Sequence, residues 1–112
     1  MSPITTHVLD LARGRPAAGV AVTLERAGAD GAWTARGAGA TDANGRISDL
    51  AGAPAEAGIH RLTFETGAYF AAQRVPAFHP RVVVTFDVKD PGEHHHVPLL
   101  IAPFGYSTYR GS

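Results

Sequence analysis

The chain of 112 residues contains no cysteine. That removes disulfides, thiolate nucleophiles and cysteine-type zinc sites at once. It has no surplus of charge either, since 10 Lys and Arg balance 10 Asp and Glu, with no long run of one sign. A basic face for nucleic acid or for an anionic membrane is therefore not expected. No apolar run approaches the ~20 residues that span a bilayer. The opening Met1-Ser-Pro-Ile-Thr-Thr-His7 has neither a basic nor an apolar segment of signal-peptide type, which makes a cytoplasmic protein the expectation. A net charge near zero limits solubility, a liability that oligomer formation relieves.

What remains is a single domain, 1–112, able to bury roughly two thirds of its extended surface in one modest core. The apolar pattern has period two in most places, so it reads as strands. Candidate strands are 7–12, 19–26, 33–36, a short one through Arg46 and Ile47, 59–66, 81–88, 94–101 and 106–110. Val20, Val22 and Leu24 share one face of the second. Thr41-Asp-Ala-Asn-Gly45 is a strong turn signal, because Asn-Gly supports positive φ. Residues 67–73 form the one plausible helix, stopped by Pro76. The Ala- and Gly-rich stretch 27–40 reads as a loose hairpin. Seven or eight short strands with regular turns predict an all-β antiparallel sandwich with one short helix, and not a βαβ fold.

The C-terminal stretch from His94 to Ser112 is unusually apolar and aromatic for a chain end. A reversal centred on Ala102-Pro103 pairs His96 with Tyr109, Pro98 with Ser107 and Leu100 with Gly105. Opposed side chains share a face, so one face presents His96, Tyr109 and Ser107, while His95 points the other way. The His94-His95-His96 run could begin a zinc site. A strand offers one metal only its i and i+2 residues, so a further ligand such as His7 or an Asp would be needed. An unliganded imidazole suited to proton transfer near neutral pH is the preferred reading, with no metal and no cofactor. His60 and His79 read as structural or surface residues, and Asp10 and Asp42 as turn organisers. Trp33 and Phe64 read as core, and Tyr69 and Phe70 as packing the helix onto the sheet.

The motifs Thr6-His-Val-Leu-Asp10 with Gly14-Arg-Pro-Ala17, Thr41-Asp-Ala-Asn-Gly-Arg46, His96-Val-Pro-Leu-Leu100 and Pro103-Phe-Gly-Tyr-Ser-Thr-Tyr-Arg-Gly-Ser112 carry a resemblance. End to end, the chain resembles the 5-hydroxyisourate hydrolases, the enzyme branch of the transthyretin family. The closing Tyr-Arg-Gly-Ser marks the hydrolases and is missing from the hormone carriers. One position departs, since His95 stands where the family is commonly aromatic.

The resemblance implies a transthyretin-like β-sandwich and assigns His7, Arg46 and His96 as catalytic. His7 and Arg46 also contact substrate, as does Tyr109, and Ser112 braces the site through its hydroxyl or carboxylate. It further implies 5-hydroxyisourate as the small-molecule substrate and a homotetramer, a dimer of dimers, whose channel is lined by the first and the two last strands. The reaction would open the six-membered ring at a cyclic amide by direct water attack, giving a ureidoimidazoline carboxylate. Either histidine could be the base, with Arg46 stabilising the developing oxyanion or clamping the substrate. Two other readings are a small-molecule carrier using the same channel without turnover, and a monomeric adhesion or protein-binding module.

Overall fold

The computed structural model describes residues 4–51 and 55–112; residues 1–3, read above for a leader, and residues 52–54 lie outside them. The described elements run β1 (Ile4–Asp10), β2 (Arg15–Pro16), β3 (Ala21–Ala27), β4 (Trp33–Ala40), β5 (Arg46–Ile47), β6 (Gly58–Phe64), α1 (Thr66–Ala72), β7 (Val82–Val88), β8 (His95–Ala102) and β9 (Gly105–Thr108). One sheet has the order β4-β3-β6-β7 and the other β2-β1-β8-β9, with β5 also paired to β1. The sandwich expected from the alternating pattern is present. None of its helices is long and apolar enough to cross a membrane, among the described residues.

The core lies between the sheets. Ile4 and Val8 of β1 and Val97, Leu99 and Ile101 of β8 belong to one apolar cluster with Val22 and Leu24 of β3 and Leu62 and Phe64 of β6. Burying a side chain such as Phe64 contributes about 1.5–3 kcal/mol. Phe70 anchors α1 in this core. Tyr69 donates its hydroxyl proton to Asp10 Oδ2 at 2.8 Å, while Asp10 Oδ1 accepts the backbone N–H groups of Ala12 and Arg13. Asp10 thus organises a turn, as expected, and also ties the helix to β1.

Four expectations need correction. The stretch 27–40 is not a loose hairpin, because β4 is a regular strand paired along β3 with one irregularity at Leu24/Glu25. Trp33 is half-buried outside the core, with the Arg61 guanidinium 4.1 Å from its ring centroid. One strand pair is parallel, β1 with β8 over all seven residues of β1. These strands lie at opposite ends of the chain, so no tight hairpin forces them antiparallel. Finally, the terminal hairpin pairs Leu100 with Ser107 and Ala102 with Gly105. Its two-residue loop is Pro103-Phe104, where the fixed φ of proline suits the first turn position. The register is therefore two residues from the expected one. A shift of two preserves which side chains share a face, but it places Gly111, not Tyr109, opposite His96.

Candidate active site

The site is built on the solvent side of the β1–β8 sheet. Along β1, Ile4, Thr6, Val8 and Asp10 are buried, and Thr5, His7 and Leu9 are half-exposed on the other face. Parallel register sets Thr5 beside His96 and His7 beside Pro98. On its opposite edge β1 receives β5, with His7 directly beside Arg46. Adjacent residues in paired strands share a face, so His7, Arg46 and His96 lie on one surface.

Arg46 is held there by the preceding turn. Asp42 Oδ1 accepts the backbone N–H of Asn44 at 2.8 Å and of Arg46 at 3.0 Å. These two donors, Arg46 first, hold the Asp42 carboxyl below its ordinary range. Gly45 sits at φ +74°, and its carbonyl accepts the Val8 N–H at 2.7 Å. A Cβ on Gly45 would stand 2.4 Å from the Val8 carbonyl oxygen. Only glycine therefore lets the turn close onto β1 and bring Arg46 beside His7. The Arg46 guanidinium enters no ion pair among the described residues.

His96 is held from two sides. The Gly111 N–H donates to the His96 carbonyl at 2.8 Å, and a Cβ on Gly111 would lie 2.5 Å from His96 Cδ2. The chain end thus lies flat against the imidazole, which requires the missing side chain. On the other side, Thr5 Oγ1 is 2.7 Å from His96 Nδ1 and 2.7 Å from His94 Nε2. The two rings stand 6.1 Å apart. Burial, and then the electrostatic influence of neighbouring His94, Arg46 and His7, push the His96 imidazole below its ordinary pKa. The shift favours the neutral form of the ring, the form in which an imidazole can act as a base.

Thr5, Arg46, Ser48, His94, His96 and Ser112 line a cleft of about 260 Å³ on this face. Of the residues predicted from the sequence, Arg46, His96 and Ser112 meet in it, and His7 stands beside Arg46. Tyr109 does not join them. It follows the end of β9, is exposed, and lines a second cleft of about 250 Å³ with Val97, Phe86 and His95.

His95 is buried and donates Nδ1–H to the Glu93 carbonyl at 2.9 Å, facing away from the cleft as its strand parity predicts. His60 is buried, stacks on Phe86 and donates Nδ1–H to the Gly58 carbonyl. His79 packs edge-on against Phe78 and Tyr106. No group of three or more metal-ligating side chains is assembled among the described residues.

Sequence reasoning did not single out Thr5, Gly45 or Gly111. Gly45 was legible as part of the Asn-Gly turn. Thr5 became visible only through the parallel register of β1 with β8. Gly111 became visible only once the chain end was seen folded back onto His96.

Taken together, the cleft offers an imidazole whose Nε2 has no hydrogen-bond partner among the described residues, a second imidazole, and a guanidinium in no ion pair among them. These can remove a proton from water and stabilise an oxyanion. Among known proteins, a 5-hydroxyisourate hydrolase of Caulobacter vibrioides is 46% identical over 117 residues, covering 100% of both chains. The solved structure of Klebsiella pneumoniae 5-hydroxyisourate hydrolase superposes with a TM-score of 0.86 at 43% identity, covering 97% of this chain and 98% of that one. Transthyretin from Sparus aurata superposes with a TM-score of 0.92 at 37% identity, covering 97% and 96%. Residues 4–111 match the HIUase/Transthyretin family, and the chain belongs to that family.

Proposed function

We infer that this chain hydrolyses 5-hydroxyisourate in the degradation of urate. The observation that carries this reading is the convergence of Arg46, His96 and Ser112 in one cleft, with His7 beside Arg46. Water attacks the cyclic amide carbon while an imidazole takes its proton, and the Arg46 guanidinium stabilises the charge on the carbonyl oxygen. The C–N bond then breaks, its electron pair and a proton go to the ring nitrogen, and a ureidoimidazoline carboxylate is released. His7, Arg46 and His96 are the catalytic groups, and Ser112 borders the substrate.

Tyr109 reaches substrate only if the assembled protein brings it there. A homotetramer would bring it there. A cleft of about 260 Å³ falls short of the ~300–1,000 Å³ usual for ligand sites, and Leu9 and Leu100 lie half-exposed on the same outer face. A further copy covering this face would bury them and close the cleft. Sedimentation should show four copies at micromolar concentration, and a monomer would remove the assembly from the account.

The likeness to a transthyretin keeps a carrier as the second reading. The two separate in an ultraviolet assay in which urate oxidase generates 5-hydroxyisourate. A hydrolase speeds its decay, and a carrier binds ligand and leaves the decay unchanged.

A further inference from the structure

The hydroxyl of Thr5 stands between two imidazoles, 2.7 Å from His96 Nδ1 and 2.7 Å from His94 Nε2. A hydroxyl has one proton to give and two lone pairs to offer. It can donate to only one of the two rings, so at least one ring must donate to it. The protonation of the two rings is therefore linked through Thr5.

Three arrangements satisfy both contacts. In the first, His96 Nδ1–H donates to Thr5 and the Thr5 hydroxyl donates to His94 Nε2. In the second, both rings donate to Thr5 and the hydroxyl proton is left without a ring acceptor. In the third, His94 Nε2–H donates to Thr5, the hydroxyl donates to His96 Nδ1, and the His96 proton sits on Nε2. The first two leave His96 Nε2 as a bare lone pair. Arg46 lines the same cleft as His96 and acts on it electrostatically, and positive charge near Nε2 favours a lone pair there over an N–H.

We propose that Thr5 and His94 are positioning residues that hold His96 in its Nδ1–H tautomer, making His96 Nε2 the base that activates water. The proposal rests on the hydrolase reading of this cleft. Nε2 takes one proton from water as the water oxygen bonds to the amide carbon. The imidazolium keeps its Nδ1–H on Thr5. When the C–N bond breaks, the nitrogen takes the electron pair together with the proton from Nε2, and the new carboxylic acid releases its proton to solvent. His96 ends as it began.

The test joins ring spectroscopy to kinetics. Thr5→Val keeps the side-chain shape and removes the hydroxyl, and Thr5→Ser restores it. Long-range ¹⁵N correlation spectra of histidine-labelled protein at neutral pH report which His96 nitrogen carries the proton. The proposal expects Nδ1–H in the wild type and in Thr5→Ser, and a mixture or Nε2–H in Thr5→Val. In turnover, Thr5→Val should lower kcat at least about tenfold with KM within about twofold, part of the usual contribution of a general base. Thr5→Ser should recover most of that loss. Adding His94→Phe to Thr5→Val should cost nothing more, because the linkage is already cut.

His94→Phe alone, at an exposed position, tests the chain from its other end should the valine variant fail to fold. It too should reduce the Nδ1–H fraction. An Nε2–H ring in the wild type overturns the proposal, as does an unchanged kcat in Thr5→Val or fully additive losses. The spectra need no substrate, so they decide the tautomer even if the hydrolase reading fails.

Discussion

Replacing Gly111 by alanine tests how closely the chain end governs His96. The backbone there does not require positive φ, so alanine brings no intrinsic strain. Its Cβ would sit 2.5 Å from His96 Cδ2 and 3.2 Å from Pro98 Cγ. Ordinary carbon contacts begin near ~3.5 Å, so the imidazole or the chain end must move by about 1 Å. A misplacement of ~1 Å at a reacting group can cost on the order of a hundredfold in rate.

The fold has less to lose. If the chain end swings away, the 2.8 Å hydrogen bond from Gly111 N–H to the His96 carbonyl goes with it, a net loss of about 1 kcal/mol. The prediction is a variant that unfolds within several degrees of the wild type and hydrolyses 5-hydroxyisourate about a hundredfold more slowly. The coupled ultraviolet assay reads the rate and differential scanning calorimetry the stability. A Gly111→Ala protein with wild-type turnover would show that contact with the chain end does not hold the His96 ring in place.

Three further outcomes follow from the same geometry. His7→Ala, Arg46→Ala and His96→Ala should each lower turnover by at least about a hundredfold, and near-normal activity in any of them removes that residue from the catalytic set. Gly45→Ala combines a φ of +74° with a Cβ 2.4 Å from the Val8 carbonyl oxygen, so denaturant unfolding should show a loss of about 1–3 kcal/mol. Stability should also fall in mild acid. His60 and His96 are both held below the ordinary imidazole value of 6.5, chiefly by burial, so the unfolded chain takes up protons first as pH drops through 6.5. Stability is then lost until the native rings protonate, and no further below that. Thermal unfolding at pH ~7.5 and ~5.5 measures the drop. His60→Phe should reduce it, and an equal drop in that variant would contradict the assignment to His60.

The sandwich was readable because its strands are amphipathic. Val20, Val22 and Leu24 alternate with the smaller or polar Ala21 and Thr23, and burial follows that alternation. Face parity was readable within β8, where His95 was expected to point away from His96 and does, but it did not carry past the end of β9 to Tyr109. Register was not. A loop centre misplaced by one residue moves every pair by two, so Tyr109 was set against His96 where Gly111 belongs. The pairing of β1 with β8 joins the two ends of the chain, and no local pattern encodes so distant a partner. That pairing brings Thr5 to His96. Arg46 was identified by its motif and looked like a solvated residue after a turn. Its place beside His7 depends on the close approach of Gly45 to β1, a three-dimensional fact that composition does not carry.

The central claim is that this cleft hydrolyses 5-hydroxyisourate through His96 and Arg46. The most direct measurement follows the ultraviolet decay of 5-hydroxyisourate, generated by urate oxidase, with wild-type protein and with His96→Ala and Arg46→Ala. The claim predicts rapid decay with the wild type and decay near the spontaneous rate with either variant. Spontaneous decay in the presence of folded wild-type protein, or full activity in both variants, would contradict it.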